Sequence, residues 1–422
     1  MLLSTIALAT VIGLPSGTPE TPSAVVTHAP KDMPVLLVQA VDRGVDLLLD
    51  MQEGEVNRGG PSEWPYQGVY RVRGKIPIGY QVGGTGIAGE ALLRAPGYVA
   101  DERRMKAIAR AIDFVCASTD HTLMNPDYNG GYDVRGWGYC YGLRFLLVAR
   151  EFGAVRDDQK DAAEAAIDFY LAALQQIEIP EAGGWTYSRR GINEPCAVSP
   201  FMTAPAIQTL YQAAAQGEAI DAAIITRALD ALNRSRAAES GNVAYSSKNQ
   251  NNDDGASIPG AMGRMTAVEG VFARSGRGSD AGIARSVDAF IEHWNELEKR
   301  RKKTGTHKAP YGVAPYYFFY AHYHAADTVE LLPEPQRTAS RAKINELLFS
   351  VKEDNGAWND RVFDRSANYG TAMAVLSILK PWSPAPADAP AASDATALAQ
   401  KKALAAPPAP DPPKADPTPA AP

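Results

Sequence analysis

The chain has 422 residues, of which 45% are hydrophobic and 21% are charged, and its formal net charge is −6. This hydrophobic fraction is that of a globular protein. The acidic balance argues against a nucleic-acid partner, because nucleic-acid-binding proteins normally carry a basic excess.

Residues 1–32 are predicted to form a leader and a linker. Residues 1–14 are apolar and run into Pro15, Ser16 and Gly17, like the hydrophobic region of a signal peptide. No lysine or arginine precedes this run, and it is too short to cross a bilayer. We therefore expect no transmembrane segment in the mature chain, and two locations stay open. The protein is either exported to the periplasm or the exterior, or cytoplasmic with an unstructured or mis-assigned start.

A glycine-aromatic turn recurs through residues 33–382 at intervals of about 50 to 70 residues. Glycine permits a tight turn that places a large ring against a helical hairpin. Each turn is followed by small and apolar residues at helical spacing, which predict a helix. The copies are Gly356-Ala357-Trp358 with Thr371-Ala372, Gly183-Gly184-Trp185 with Thr203-Ala204, Gly241 to Tyr245 with Thr266-Ala267, Gly130-Gly131-Tyr132 with Tyr139 to Gly142, and two weaker copies at Glu63-Trp64 and Pro310-Tyr311-Gly312.

A second, amphipathic helical pattern precedes each turn, so that each unit is predicted to be a helix, a turn and a helix. The first unit begins at residue 33, and the others span residues 102–152, 157–216, 219–274, 282–331 and 334–379. Six such hairpins predict an all-α domain over residues 33–382, closed into a double ring with a central cavity. Residues 383–422 are rich in proline and alanine and are predicted to form a disordered tail.

The Gly-x-Trp turns followed by a Thr-Ala helix resemble the repeats of the squalene cyclase and protein prenyltransferase superfamily. The resemblance covers residues 33–382 and implies an α/α toroid of inner and outer helices. It also implies an apolar or isoprenoid-like ligand in the central cavity. Terpene cyclase or prenyltransferase activity would be the corresponding enzyme function.

Two catalytic motifs of that superfamily are missing. Squalene-type cyclases carry Asp-x-Asp-Asp-Thr-Ala at the start of an inner helix, whereas the four residues before Thr371-Ala372 include no acid. Protein prenyltransferases hold zinc with Asp, Cys and His. The nearest match, Cys196 with His322 or His324, lacks the Asp-x-Cys spacing. The sequence therefore predicts no metal site and no cofactor, and leaves catalysis itself open.

If the chain is catalytic, acids in the long loops and one histidine are the candidates. Asp133, Asp253 and Asp254 are predicted acids. His324 lies three residues before Asp327 on a predicted helix, so the two are predicted to form an acid/base pair.

Ligand contacts are expected from arginines at the inner-helix N-termini and from aromatic side chains. The helix dipoles favour an anion at that end of the ring. Aromatic rings would line an apolar cavity and stabilise a carbocation. The predicted contacts are Arg135, Trp137, Tyr139, Trp185, Arg189, Tyr316, Tyr320, Tyr323 and Trp358.

Two other functions stay open. Polysaccharide lyases and hydrolases use related six-hairpin barrels, and Asp127, Tyr128, Asp133, Tyr187 and Arg189 would serve such a site. Alternatively, the toroid is a non-catalytic scaffold for protein or cell-envelope contacts, with the tail as a tether. A closed aromatic cavity favours the isoprenoid ligand, an open polar cleft with two carboxylates favours a sugar, and a filled centre favours the scaffold.

Overall fold

Outer and inner helices alternate along the chain. The computed structural model describes residues 28–130, 133–188, 196–246 and 257–390. Within these ranges the outer helices are α1 (Val35–Asp50), α3 (Glu102–Ala117), α5 (Lys160–Gln176), α7 (Ala222–Ser235), α9 (Asp280–Glu298) and α11 (Gln336–Phe349). The inner helices are α2 (Ile78–Arg94), α4 (Arg135–Glu151), α6 (Pro200–Ala215), α8 (Ile258–Arg274), α10 (Tyr317–Thr328) and α12 (Ala367–Leu379).

The inner helices form a closed ring. Each packs against the next inner helix in chain order, and α12 packs against α2. Each outer helix packs against the inner helix that precedes it, and α1 packs against α12, so the last hairpin joins the first. The only strands in the described ranges are β1 (Glu53–Gly54) and β2 (Ser62–Glu63), which form an antiparallel pair. The predicted all-α toroid is confirmed.

Burial distinguishes the two kinds of helix. Every residue of α10 and of α12 is buried, whereas only three residues of the outer helix α11 are buried. An outer helix has one face in solvent and therefore needs a single apolar stripe, while an inner helix is covered on all sides. This difference explains the small and apolar residues after each predicted turn.

In three hairpins a tryptophan joins the outer helix to the inner helix. Its indole N–H donates to a backbone carbonyl of the outer helix over 2.6–2.9 Å. Its backbone N–H donates to a threonine hydroxyl of the inner helix over 2.9–3.1 Å. The three sets are Trp64 with Leu48 and Thr85, Trp185 with Leu174 and Thr203, and Trp358 with Leu348 and Thr371.

These bonds correct two of the predicted ligand contacts. Trp185 and Trp358 are fully buried between helices, and both polar groups of each residue are used within the hairpin. They join the helices of their hairpins and line neither of the two ring pockets described below. The glycine turns before them are as predicted, since Gly184 and Gly356 have φ values of 75° and 92°, which favour glycine.

Residues 383–390, which fall in the predicted tail, pack against the toroid. The N–H of Ala389 donates to the carbonyl of Arg274 over 3.0 Å. Just before this segment, the indole of Trp382 donates to Asp32 over 3.1 Å. The remaining tail, 391–422, and the leader, 1–27, lie outside the described residues. Among the helices that the structure describes, none is long and apolar enough to cross a membrane.

Candidate functional site

The N-terminal ends of the inner helices meet at a narrow aromatic pocket, called here the N-terminal pocket. The ring of Trp137 on α4 lies 5.6 Å from that of Tyr80 on α2 and 6.2 Å from that of Tyr369 on α12. The volume of the pocket is about 20 Å³, which holds about one water molecule. Its lining residues are Tyr66, Tyr70, Tyr80, Trp137, Tyr187, Phe201, Tyr316 and Tyr369.

A buried carboxyl group stands beside this pocket. Asp360 has no exposed surface, and its Oδ2 accepts a hydrogen bond from the hydroxyl of Tyr66 over 3.1 Å. Its Oδ1 has no hydrogen-bond partner among the described residues. Burial raises the pKa of Asp360 to about 7, although the Arg361 guanidinium and the Tyr66 hydroxyl oppose the rise. A carboxyl group with such a pKa is partly protonated near neutral pH and is suited to general acid/base catalysis.

Arg361 places a buried positive charge next to that acid. Its side chain is about 1% exposed, and Nη1 donates to the carbonyl of Gly305 over 3.0 Å. The guanidinium carbon lies 5.7 Å from the ring centre of Tyr316, so the cation faces an aromatic ring of the pocket. The Nε atom of Arg361 has no partner among the described residues, which leaves one donor for a ligand.

A chain of hydroxyl groups crosses the same end of the ring. The Tyr316 hydroxyl is 3.1 Å from that of Tyr245, and the Tyr187 hydroxyl donates to it over 3.4 Å. His307 Nε2 lies 3.1 Å from the Tyr316 hydroxyl and 3.0 Å from that of Tyr317. Burial, assisted by nearby arginines, lowers the pKa of His307 to about 4, so its ring is neutral at pH 7. The pocket is therefore aromatic but edged with neutral hydrogen-bonding groups.

Asp133 and Arg135 form a separate cluster at the start of α4. Asp133 Oδ1 accepts from the backbone N–H of Arg135 over 3.0 Å, and burial raises the pKa of the carboxyl. Arg135 Nη1 donates to the carbonyl of Asn125 over 3.0 Å. Between them, Val134 has φ 56°, an uncommon backbone conformation for a β-branched residue. Neither predicted residue lines the N-terminal pocket, although Asp133 Oδ2 has no partner among the described residues.

A second, larger cavity lies at the C-terminal ends of the inner helices and is called here the C-terminal cavity. Its volume is about 330 Å³. Arg144 bonds both carboxylate oxygens of Glu90, over 2.6 Å and 2.9 Å, and also donates to the Tyr323 hydroxyl. Its lining includes Glu90, Arg94, Arg144, Glu151, Gln208, Tyr323, Lys380 and the segment 383–387.

The predicted hydrogen-bonded pair of His324 and Asp327 is not formed. Asp327 bonds Lys380 over 2.8 Å and Arg274 over 2.9 Å, and these cations lower the pKa of its carboxyl. Both ring nitrogens of His324 lack a hydrogen-bond partner among the described residues, and burial lowers the pKa of the ring to about 3. The Asp327 carboxylate is therefore bonded by Lys380 and Arg274, and not by His324 as the sequence spacing predicted.

The remaining predicted contacts are spread along the ring. Trp137 and Tyr316 line the N-terminal pocket, whereas Tyr323 lines the C-terminal cavity. Tyr320 lies between them along α10, with its ring stacked at 3.8 Å on that of Phe201. Packed side chains thus divide the predicted central cavity into two spaces.

Other predicted residues lie away from both spaces or outside the described ranges. The hydroxyl of Tyr139 donates to the carbonyl of Met124 over 2.6 Å, and its ring packs against Phe169 and Tyr170 of outer helix α5. Arg189, Asp253 and Asp254 lie outside the described residues. In the described ranges, no group of three or more His, Cys, Asp or Glu side chains could hold a metal ion.

The sequence contained a signal for the residues that were missed. The second residue after each hairpin tryptophan reaches the N-terminal pocket or its edge, as Tyr66, Tyr187 and Asp360 do. The second residue before the inner-helix threonine does the same at Phe201 and Tyr369. Because Trp and Thr are fixed by the hydrogen bonds described above, positions counted from them point in the same direction in each repeat.

Comparison with known proteins identifies the fold. No protein-family model and no curated protein sequence matches the chain. Among solved structures, unsaturated glucuronyl hydrolase from Bacillus sp. GL1 is 11% identical, with 83% of this chain and 98% of that chain covered and a TM-score of 0.53. The α-1,6-mannanase GH76A of Salegentibacter sp. HEL1_6 is also 11% identical, with 81% and 98% covered and a TM-score of 0.50.

A terpene cyclase is also similar. The type II terpene cyclase MstE from Scytonema is 15% identical, with 82% of this chain and 97% of that chain covered and a TM-score of 0.47. At such identities the similarity concerns the fold alone. The chain has an α/α toroid fold, as its repeats predicted.

Proposed function

We propose that the chain is an enzyme that binds an isoprenoid-like ligand in the N-terminal pocket and protonates an oxygen atom of that ligand with Asp360. The observation that carries the proposal is a buried carboxyl group with one unpartnered oxygen, Oδ1, beside a pocket lined by aromatic rings. Apolar rings match an apolar ligand, and a protonated carboxyl is a proton donor at neutral pH.

The pKa of Asp360 favours an oxygen atom of the ligand, and not an alkene carbon, as the proton acceptor. A carboxyl group with a pKa of about 7 is a weak acid, and protonation of an alkene needs a much stronger one. Protonation of an oxygen requires less acid strength: a protonated alcohol then loses water, and a protonated epoxide breaks one carbon–oxygen bond and keeps the oxygen as a hydroxyl group. The cation left on the ligand would be stabilised by faces of rings such as Trp137 and Tyr369.

Ligand entry requires the pocket to widen, because about 20 Å³ is too small for an isoprenoid chain. Tyr70 and Tyr316 are only half-buried, so their rings are the ones that we expect to move. Arg361 next to the acid would contact an anionic end of the ligand or stabilise the departing oxygen.

The test is incubation of the full chain with a farnesyl epoxide and, separately, with the farnesyl hydrocarbon that lacks oxygen. Products are identified by gas chromatography and mass spectrometry. We expect conversion of the epoxide alone, and a loss of about 100-fold or more in Asp360→Asn, as is typical when a general acid is removed. Asp364→Asn, which changes an exposed acid four residues away, is the matched control and keeps full activity. Equal conversion by Asp360→Asn would rule out this role.

A carbohydrate substrate is the second candidate, and the hydroxyl chain favours it. The hydroxyls of Tyr187, Tyr245 and Tyr316 offer donors and acceptors of the kind that bind sugar hydroxyls. A carboxyl group with a raised pKa also matches the general acid of a glycosidase. The structurally similar mannanase and glucuronyl hydrolase show that this fold accommodates sugar chemistry.

One set of assays distinguishes the isoprenoid-like substrate from the carbohydrate substrate. We would measure reducing-end release from α-1,6-mannan and from unsaturated glucuronyl disaccharides, with the wild type and with Asp360→Asn. Release that depends on Asp360, without conversion of the farnesyl epoxide, favours the sugar. The opposite pattern favours the isoprenoid, and no turnover of either class would contradict both enzyme proposals.

A further inference from the structure

The C-terminal cavity is unused by the proposed reaction, and its side chains point to a ligand of their own. We propose that it binds a small organic oxyanion, a carboxylate or a phosphate, independently of the N-terminal pocket. The proposal rests on charge balance, on an unpartnered buried amide and on the chemistry of the cavity's cover.

The cavity end carries an excess of positive charge. Glu90 is bonded by Arg94 over 2.7 Å and by Arg144, and Asp327 is bonded by Arg274 and Lys380. Of these residues, Arg94, Arg144, Lys380 and Glu90 line the cavity. Glu151 lines it too, so three cations and two carboxyl groups line the cavity, an excess of one positive charge when Glu151 is ionised. A buried excess of cations is costly without a counter-charge, and an anionic ligand would supply it.

An unpartnered amide lines the same cavity. Gln208 is 6% exposed, and its Nε2 has no hydrogen-bond partner among the described residues. A buried amide N–H without a partner costs free energy, so a ligand acceptor at this point would be favoured. Arg94, Arg144 and Lys380 add further donors around the cavity. Among the described residues Arg94 bonds Glu90 through Nε alone, which leaves its terminal N–H groups for an oxygen-rich anion.

The negative ends of the inner-helix dipoles explain part of the positive charge, but not the whole arrangement. Cations near helix C-termini are favourable without any ligand. That effect requires neither the Gln208 amide nor a space of about 330 Å³, which is large enough for several water molecules. A space of this size and polarity is that of a small-molecule site.

The segment that covers the C-terminal cavity indicates the chemical character of the rest of the ligand. Residues 383–387, with the sequence Ser-Pro-Ala-Pro-Ala, line the cavity, and Leu376 lines it too. Prolines offer no backbone N–H, so this segment presents mainly apolar surface. The ligand that fits has an oxyanion near Gln208 and the arginines, and a short apolar body under the cover.

The experiment is isothermal titration calorimetry on the full chain with two probes, inorganic phosphate and butyrate. We expect one saturable site per chain for at least one probe. Tighter binding of butyrate identifies a carboxylate with an apolar body, and tighter binding of phosphate identifies a phosphate ligand. Gln208→Leu, which removes the unpartnered amide, and Arg94→Gln are each expected to weaken binding about tenfold. Arg103→Gln removes an exposed arginine and leaves binding unchanged.

Three results would overturn the proposal. The first is no saturable heat with either probe up to about 10 mM, beyond the range in which a millimolar site fills. The second is binding that survives unchanged in both Gln208→Leu and Arg94→Gln, which would place the anion elsewhere. The third is loss of binding in Asp360→Asn, since that acid belongs to the other end of the ring. Circular dichroism of Gln208→Leu confirms that the variant is folded, because this change leaves every ion pair of the cavity intact.

Discussion

The two ends of the inner ring bury their carboxyl groups about equally, yet the pKa values move in opposite directions. Asp360 at the N-terminal end is 0% exposed and Glu90 at the C-terminal end is 2% exposed. Burial raises the pKa of both groups. Arg144 and Arg94 bond Glu90 directly and lower its pKa to about 2. Asp360 accepts a hydrogen bond from the neutral hydroxyl of Tyr66, and the pKa of Asp360 rises to about 7.

The comparison shows that directly bonded cations, more than depth of burial, decide which carboxyl group can transfer a proton. Asp327 supports this, since it is as buried as Glu90 and its pKa is lowered by Lys380 and Arg274. Paired carboxylates stay ionised and hold the C-terminal end together. No cation bonds the carboxyl group of Asp360 as closely as the arginines and Lys380 bond Glu90 and Asp327. Asp360 therefore keeps a proton beside the N-terminal pocket.

The largest change in the free energy of unfolding is expected from removing a carboxylate at the C-terminal end of the ring. Glu90→Gln leaves Arg144 buried without its anionic partner, which should lower the free energy of unfolding by about 3–5 kcal/mol. Urea unfolding followed by circular dichroism measures the change. Asp46→Asn, which breaks an exposed pair with Arg103, is the control and should cost no more than about 1 kcal/mol. Similar small losses in both variants would mean that the buried pair is not a source of stability.

The second effect is a pH dependence of stability with opposite signs at the two ends. The folded-state pKa of Asp360, about 7, exceeds its ordinary value of 3.8, so the native state binds the proton more tightly than the unfolded state. Its contribution is complete below about pH 4 and is lost as pH rises to about 7, by up to about 4 kcal/mol. Glu90 behaves in the opposite way, because its contribution is present above pH 4.5 and is lost as pH falls toward 2.

Unfolding free energies between pH 3 and pH 8 would test this contrast. The unfolding free energy of the wild type minus that of Asp360→Asn should decline between pH 4 and pH 7. The wild type minus Glu90→Gln should instead decline as pH falls below 4.5, so each variant serves as the control for the other. The difference between wild type and variant is needed because the buried, neutral His307 and His324 make the stability of both rise over this pH range. A difference between the wild type and Asp360→Asn that stays constant from pH 4 to pH 7 would show that Asp360 is ionised throughout, and the proposed proton donor would be lost with it.

The repeats predicted the toroid correctly because the signals for it are local. In three hairpins a tryptophan is bonded to a threonine 13 to 21 residues later, and in two of them a glycine with positive φ precedes the tryptophan. These bonds set the geometry of the hairpin that holds them, and six helical hairpins in sequence close the ring. Trp185 and Trp358 were misplaced as ligand contacts because the same local bonds use both of their polar groups.

The candidate site was predicted only in part because it joins residues that are far apart in the chain. Tyr66 and Asp360 are 294 positions apart, and only closure of the ring brings them together. The sequence predicts that Tyr316, Tyr320 and Tyr323 line one cavity. A helix rises ~1.5 Å per residue, so Tyr316 and Tyr323 are about 10 Å apart along the axis and reach different spaces.

The smallest predicted effect tests the link between Tyr66 and Asp360 itself. The Tyr66 hydroxyl stabilises the ionised carboxylate, so Tyr66→Phe should raise the pKa of Asp360 further, by about one unit. The carboxyl carbon of Asp360, followed by ¹³C NMR during a pH titration, reports this value directly. Tyr80→Phe removes another pocket hydroxyl, in a ring 5.2 Å from that of Tyr66, without touching the hydrogen bond to Asp360. If both variants shift the titration equally, the pocket's general polarity governs the acid. A shift confined to Tyr66→Phe would mean that one hydrogen bond, made across the closure of the ring, sets how readily Asp360 gives up its proton.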